Sequence, residues 1–126
     1  MHQATASPTL DGLFRRILAR QPDALALVDP ANKMQVTGQP PLRLTFAQAD
    51  RAISALATHF VDAGLPPHSI VAVQLANTVE YALTVLAAHR AGLVVALMPQ
   101  LWRHADLAVA LDRIGARAIV GCSRID

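Results

Sequence analysis

Three short, almost wholly apolar segments alternate with two helix-like segments in the second half of the chain. The predicted strands are residues 70–75, 93–98 and 117–122, and the predicted helices between them are residues 79–91 and 104–114. Continuous apolar strands joined by helices are typical of parallel pairing with right-handed crossovers, because such strands are buried on both faces. The pattern therefore predicts a three-stranded parallel βαβαβ core.

Local signals mark the ends of these two helices. Asn77 with Glu80 three residues later predicts a capping box at the start of the first helix. Gly92 and Gly115 follow the two helices and are suited to end them. The first helix is apolar almost all round, so we expect it to be deeply buried. The second should turn three apolar side chains inward, namely Leu107, Leu111 and Ile114.

The first half of the chain predicts a helix, a β-hairpin and a second helix. Apolar residues recur at helical spacing over residues 10–18, Asp11 can pair with Arg15 one turn later, and Pro22 ends the helix. Residues 24–28 form the first predicted strand and residues 42–44 the return strand. The segment between them, residues 29–41, is interpreted as mostly loop, with a short strand over residues 34–37.

A second capping box opens the packing helix that follows the hairpin. Thr45 and Gln48 have the required spacing, and Gly64 suits a left-handed end to the helix. The apolar stripe of this helix consists of Ala49, Ile53, Leu56 and Phe60. The predicted fold class is therefore α/β, with a three-layer parallel βαβαβ core preceded by a helix, a β-hairpin and a packing helix. Residues 1–7 form a predicted flexible leader.

Composition and charge exclude several classes of function. The 126 residues are 53% hydrophobic and 16% charged, and eleven scattered Lys and Arg residues give a net charge of only +2. With aromatic residues at 4%, a nucleic-acid surface is not expected. The most apolar stretch, residues 79–98, carries Glu80, His89 and Arg90, which argues against a membrane span. The single cysteine, Cys122, excludes an internal disulfide, fits a reducing cytoplasm and is interpreted as a buried structural residue.

The sequence contains no complete set of catalytic or metal-binding residues. There is no Gly-rich phosphate loop, and the only lysine, Lys33, lies in a predicted loop without glycine neighbours. None of the five histidines has a partner at metal-ligand spacing. Trp102 and Arg103 follow the carboxyl end of a strand, the edge where open α/β sheets usually bind ligands. These two residues are therefore candidates for the wall of a substrate pocket. The alternative is that they only pack against the fold or cap a helix.

A set of short motifs resembles the opening of adenylate-forming, AMP-binding enzymes of the acyl-CoA synthetase and ligase type. The motifs, in order, are Leu44-Thr45-Phe46, Gly64-Leu65, Val71-Ala72-Val73, Asn77, Glu80, Ala91-Gly92, Leu97-Met98-Pro99-Gln100-Leu101 and Gly115-Ala116-Arg117. No motif is specific alone, whereas their order and spacing together are. Met98 replaces the family's usual Asn, and Trp102-Arg103 replaces a usual helix start, which leaves the substrate class open.

The resemblance implies that residues 8–126 are the N-terminal subdomain of an ATP-dependent carboxylic acid–CoA ligase, truncated before its ATP phosphate loop. Such a ligase forms an acyl-adenylate and then an acyl-CoA thioester, using ATP, Mg and coenzyme A. The family's catalytic residues lie downstream of Asp126, so none is carried over to this chain. The resemblance therefore implies that the chain alone is inactive and that its partner is the remainder of the ligase.

Two other interpretations stay open at this stage. The chain could be a non-enzymatic α/β module that self-associates or binds a partner, because it is apolar without a matching catalytic set. It could also be an independent small nucleotide-binding domain, although the missing phosphate loop disfavours this hypothesis.

Overall fold

The computed structural model describes residues 8–122, so the predicted leader over residues 1–7 lies outside the described residues. The elements, in chain order, are α1 (Leu10–Arg20), β1 (Leu25–Val28), α2 (Lys33–Thr37), β2 (Arg43–Thr45), α3 (Phe46–Asp62), β3 (Ile70–Gln74), α4 (Val79–Arg90), β4 (Val94–Leu97), α5 (His104–Ile114) and β5 (Ala118–Gly121). This order confirms the predicted helix, hairpin, packing helix and βαβαβ core.

The core sheet has three parallel strands in the order β4-β3-β5. Central Val71 lies opposite Val95 on one side and Ala118 on the other. Since β4 and β5 flank β3 on opposite sides, right-handed crossovers require α4 and α5 to cover opposite faces. A separate antiparallel pair, β1 with β2, forms the predicted hairpin.

The hydrophobic core lies between one face of this sheet and the helices α3 and α4. Val71 and Val73 from β3 are fully buried in it, together with Ile53 of α3 and Ala87 of α4. The Thr45–Gln48 capping box is confirmed, because the Thr45 hydroxyl accepts the Gln48 N–H at 3.2 Å and the Gln48 side chain accepts the Thr45 N–H at 2.9 Å. Gly64, which follows α3, has the expected positive φ of 83°.

Helix α5 covers the second face of the sheet only loosely. Leu107, Leu111 and Ile114 are half-buried, so they face inward as expected, but no α5 residue is fully buried against the described chain. The neighbouring edge strands leave Val94 46% exposed and Ile119 45% exposed. This face is therefore apolar and only partly covered by the described residues.

The predicted strand over residues 34–37 is wrong, because this segment forms the short helix α2. Val36 N–H donates to Asn32 O at 3.2 Å, and Gly38 ends the helix with φ of 76°. The physical reason is Lys33, the first residue of α2, which is buried and forms ion pairs with Asp29 and Glu80. Tertiary contacts thus override the weak strand preference of Val36 and Thr37.

The predicted capping box of Asn77 with Glu80 is also wrong. Helix α4 begins one residue later, after Thr78, and Thr78 makes no side-chain cap hydrogen bond within the described chain. Instead, Asp29 Oδ1 accepts the Val79 N–H at 2.7 Å. Glu80 does not turn back to the helix start because its carboxylate accepts a hydrogen bond from Lys33.

Candidate functional site

A cleft of about 720 Å³ opens at the carboxyl ends of β3 and β5. Its lining residues include Gln74, Gly121 and Cys122 at the sheet edge and Lys33 and Thr37 of α2. Small-molecule sites in proteins have similar volumes, and open parallel sheets usually bind ligands at this edge. The cleft is therefore the candidate functional site of the described chain.

A cluster of charged side chains, most of it buried, lies beside the cleft. Lys33 Nζ lies 2.6 Å from Asp29 Oδ2 and 2.7 Å from Glu80 Oε1. The Lys33 and Asp29 side chains are 1% and 0% exposed, whereas Glu80 retains 44% exposure. Two carboxylates thus surround one ammonium group, and we call these three residues the Lys33 cluster.

Asp29 joins three separate segments of the chain. Besides its contact with Lys33, Oδ2 accepts the Leu42 N–H at 2.8 Å, and Oδ1 accepts the N–H of Val79. A carboxylate at this position also interacts favourably with the positive, N-terminal end of the α4 dipole. Asp29 therefore fixes the hairpin and α2 against the start of α4.

These contacts move both pKa values in the direction that stabilises the ion pair. Burial alone raises the pKa of Asp29, but hydrogen bonds from Lys33, Val79 and Leu42 and the charge of Lys33 outweigh it, so the pKa lies below 3.8. Burial alone lowers the pKa of Lys33, but hydrogen bonds and attraction to Asp29 and Glu80 raise it above 10.5. Both groups are therefore charged at neutral pH.

We expect the stability of the chain to fall at both extremes of pH. The contribution of Asp29 is fully present above its unfolded pKa of 3.8 and is lost as pH falls through the lower folded value. The contribution of Lys33 is fully present below 10.5 and is lost as pH rises through its higher folded value. Urea unfolding at fixed pH values between 2 and 12 measures this profile. If the loss of stability at low pH were the same in Asp29→Asn as in the wild type, Asp29 would not be its cause.

The Lys33 cluster does not fit a nucleotide phosphate. Lys33 already faces two carboxylates, so its charge is not free to offset a phosphate in the cleft. Over residues 8–122, no three His, Cys, Asp or Glu side chains are placed to hold a metal ion. Within residues 8–122, the cleft therefore offers neither an unpaired lysine for the phosphates of ATP nor a ligand set for Mg.

A second group of contacts fastens the turn between β4 and α5. Gln74 Nε2 donates to the backbone oxygens of Pro99 at 3.0 Å and Trp102 at 2.9 Å. Trp102 is 37% exposed, and Arg103 is the exposed N-cap residue of α5. The turn brings Gln100 to the cleft, but neither Trp102 nor Arg103 borders it. Their role as a pocket wall in a larger enzyme stays a prediction.

The interpretation of Cys122 as a buried residue is wrong, since it is an exposed residue that lines the cleft. It follows β5, which is an edge strand, and the described residues place no further strand against it.

The sequence interpretation missed the Lys33 cluster and Gln74. Two signals were available: the spacing of four residues between Asp29 and Lys33, and a single amide that ends an otherwise apolar strand. The partner of Lys33 on α4 lies 47 residues away, and no local pattern indicates it.

The fold is that of one part of the solved N-terminal subdomains to which the chain is similar. The N-terminal subdomain of NpsA from Klebsiella oxytoca superposes with a TM-score of 0.78 at 21% identity, over 95% of this chain and 29% of that one. The chain belongs to the family of AMP-binding enzymes, whose family model matches residues 14–126. The resemblance seen in the sequence motifs is thereby confirmed.

Two curated relatives extend this comparison. Long-chain fatty acid transport protein 1 of Rattus norvegicus is 33% identical over 115 residues, which is 91% of this chain and 17% of that protein. The 4-chlorobenzoate–CoA ligase of an Arthrobacter species is 27% identical over 101 residues, 80% of this chain and 18% of that enzyme. The chain thus spans less than a fifth of the length of these relatives. None of the helices in the described part is long and apolar enough to cross a membrane.

Proposed function

We propose that this chain is the N-terminal part of an ATP-dependent carboxylic acid–CoA ligase, which forms an acyl-adenylate and then an acyl-CoA thioester. The match to the AMP-binding family over residues 14–126 carries the proposal. Similarity to a CoA ligase over 80% of the chain supports the thioester step. ATP, Mg and coenzyme A would be bound by the remainder of the ligase. The lone cysteine supports a cytoplasmic location.

Within such a ligase, residues 8–126 would act as a structural subdomain. The loosely covered face of the sheet, with Val94 and Ile119 exposed, supports packing against the remainder of the enzyme. The neutralised Lys33 supports the proposal that the isolated chain is inactive, because the one lysine at the cleft is already paired with two carboxylates and cannot offset the charge of a phosphate.

An ATP–pyrophosphate exchange assay tests the proposal directly. The purified 126-residue chain and the longer ligase of which we propose it is a part are each given ATP, Mg and a panel of long-chain and aromatic carboxylic acids. We expect exchange, and thioester formation with coenzyme A, from the longer ligase only. Exchange by the 126-residue chain would contradict its inactivity, and exchange without thioester formation would contradict the CoA ligase assignment.

The exposed apolar residues also favour one alternative, a non-enzymatic module that self-associates through the same face. A stable dimer of this kind would bury about 1,200–2,000 Å² in total. Sedimentation equilibrium of the chain distinguishes the two, since a monomer at micromolar concentration would contradict the module.

A further inference from the structure

The side chain of Gln74 is a buried amide, and its surroundings allow only one orientation of the amide group. Gln74 ends the central strand β3 and is 5% exposed. Its Nε2 faces three backbone oxygens, those of Pro99 and Trp102 at hydrogen-bond distance and that of Gln100 at 3.5 Å. Carbonyl oxygens accept and do not donate, so only the NH₂ side of the amide fits here.

Among residues 8–122, the turn held by Gln74 makes few other hydrogen bonds. Met98 N–H donates to Val73 O at 2.9 Å where the turn leaves the sheet, and Trp102 N–H donates to Pro99 O at 3.1 Å within it. Leu101, between these points, is 85% exposed. The Gln74 side chain is therefore the link that ties the far end of the turn to the central strand.

We propose that Gln74 is a positioning residue that sets where Trp102 and Arg103 stand at the carboxyl edge of the sheet. In the ligase it would thereby affect selectivity for the acid, a step that rests on the proposed function and on Trp102 and Arg103 lining the acid pocket of the whole enzyme. A buried amide without hydrogen-bond partners would be unfavourable. The backbone oxygens of the turn supply those partners, which explains why an amide is tolerated at the end of this strand. The anchoring itself can be tested without any enzyme activity.

Trp102 is the only tryptophan, so its fluorescence reports on this turn alone. Gln74→Met keeps the length of the side chain but removes the donors, and Gln74→Glu replaces them with a carboxylate that repels the three oxygens. We expect both variants to shift the Trp102 emission to longer wavelength and to speed hydrogen exchange of the Trp102 N–H by roughly five- to tenfold. Acidification should partly reverse the effect in Gln74→Glu only, because the protonated carboxyl group can donate.

Gln35→Met is the matched control, because Gln35 is exposed and lines the same cleft from α2. Urea unfolding of each variant separates a local change in the turn from global destabilisation. Unchanged emission and exchange in Gln74→Met, or an equal change in Gln35→Met, would overturn the proposal.

In the longer ligase, we expect Gln74→Met to raise KM for the acid severalfold and to leave KM for ATP unchanged. Equal changes in both KM values, with the turn loosened, would overturn the role in selectivity. A wild-type ligase that activates no acid would instead contradict the proposed function, while the fluorescence result would still decide the anchoring.

Discussion

Replacing Lys33 with methionine should lower the free energy of unfolding by about 3–5 kcal/mol, the usual loss when one partner of a buried ion pair is removed. Methionine fills a similar volume, so the loss comes from charge rather than from a cavity. The Asp29 carboxylate, 0% exposed, would remain buried with only backbone N–H groups as partners. Urea unfolding followed by far-ultraviolet circular dichroism measures the change.

Two further variants make this result specific to the Lys33 cluster. Arg20→Met removes an exposed charge and should change stability by less than about 0.5 kcal/mol. The double variant Asp29→Asn with Lys33→Met should lose less than the sum of the two single variants, because the buried Asp29 charge is removed together with that of Lys33. Additive losses would show that the two side chains do not depend on each other.

Replacing Arg90 with methionine should destabilise the chain by about 2–3 kcal/mol and release helix α1. The Arg90 guanidinium lies 2.8 Å from both Asp11 of α1 and Asp50 of α3, and it donates to Ser54 Oγ at 2.8 Å. The expected loss is smaller than for Lys33 because the Asp11 and Asp50 side chains keep 17% and 31% exposure, so water screens them.

The effect should be largest in α1, since no residue of that helix is fully buried against the described chain. Phe14 also holds α1 in place, because its ring centre lies 5.4 Å from that of Phe46. Hydrogen exchange resolved by residue should therefore show α1 opening first in Arg90→Met. Arg113→Met, an exposed change on α5, is the matched control. Protection of α1 equal to that of the wild type would contradict the role of Arg90.

Local patterns predicted most of the fold because the forces behind them are local. The Thr45–Gln48 box and the left-handed glycines depend on neighbours within a few residues, and the sheet follows from apolar strands joined by helices. Glu80 shows where this reasoning stops. Its spacing from Asn77 is correct for a cap, but a buried lysine 47 residues earlier binds the carboxylate more strongly.

The candidate site was less predictable than the fold because its contacts join residues that are far apart in the sequence. The sequence places Lys33 in a predicted loop, and only the folded chain shows that two carboxylates surround it. Gln74 could be noticed as an amide in an apolar strand, but its partners on the turn lie 25 and 28 residues later. Cys122 follows β5, which is an edge strand among the described residues, and strand composition alone does not indicate the exposure of Cys122.

The cap that Asp29 gives to helix α4 also bears on the order of folding. The two partners are 50 residues apart, so the first turn of α4 gains this stabilisation only after a long loop has closed. During synthesis, however, the hairpin that carries Asp29 emerges from the ribosome before α4 does. The carboxylate can therefore be in place as the helix forms, and α4 would nucleate on structure already present. The folding and unfolding rates of Asp29→Ala would measure how early this contact is made.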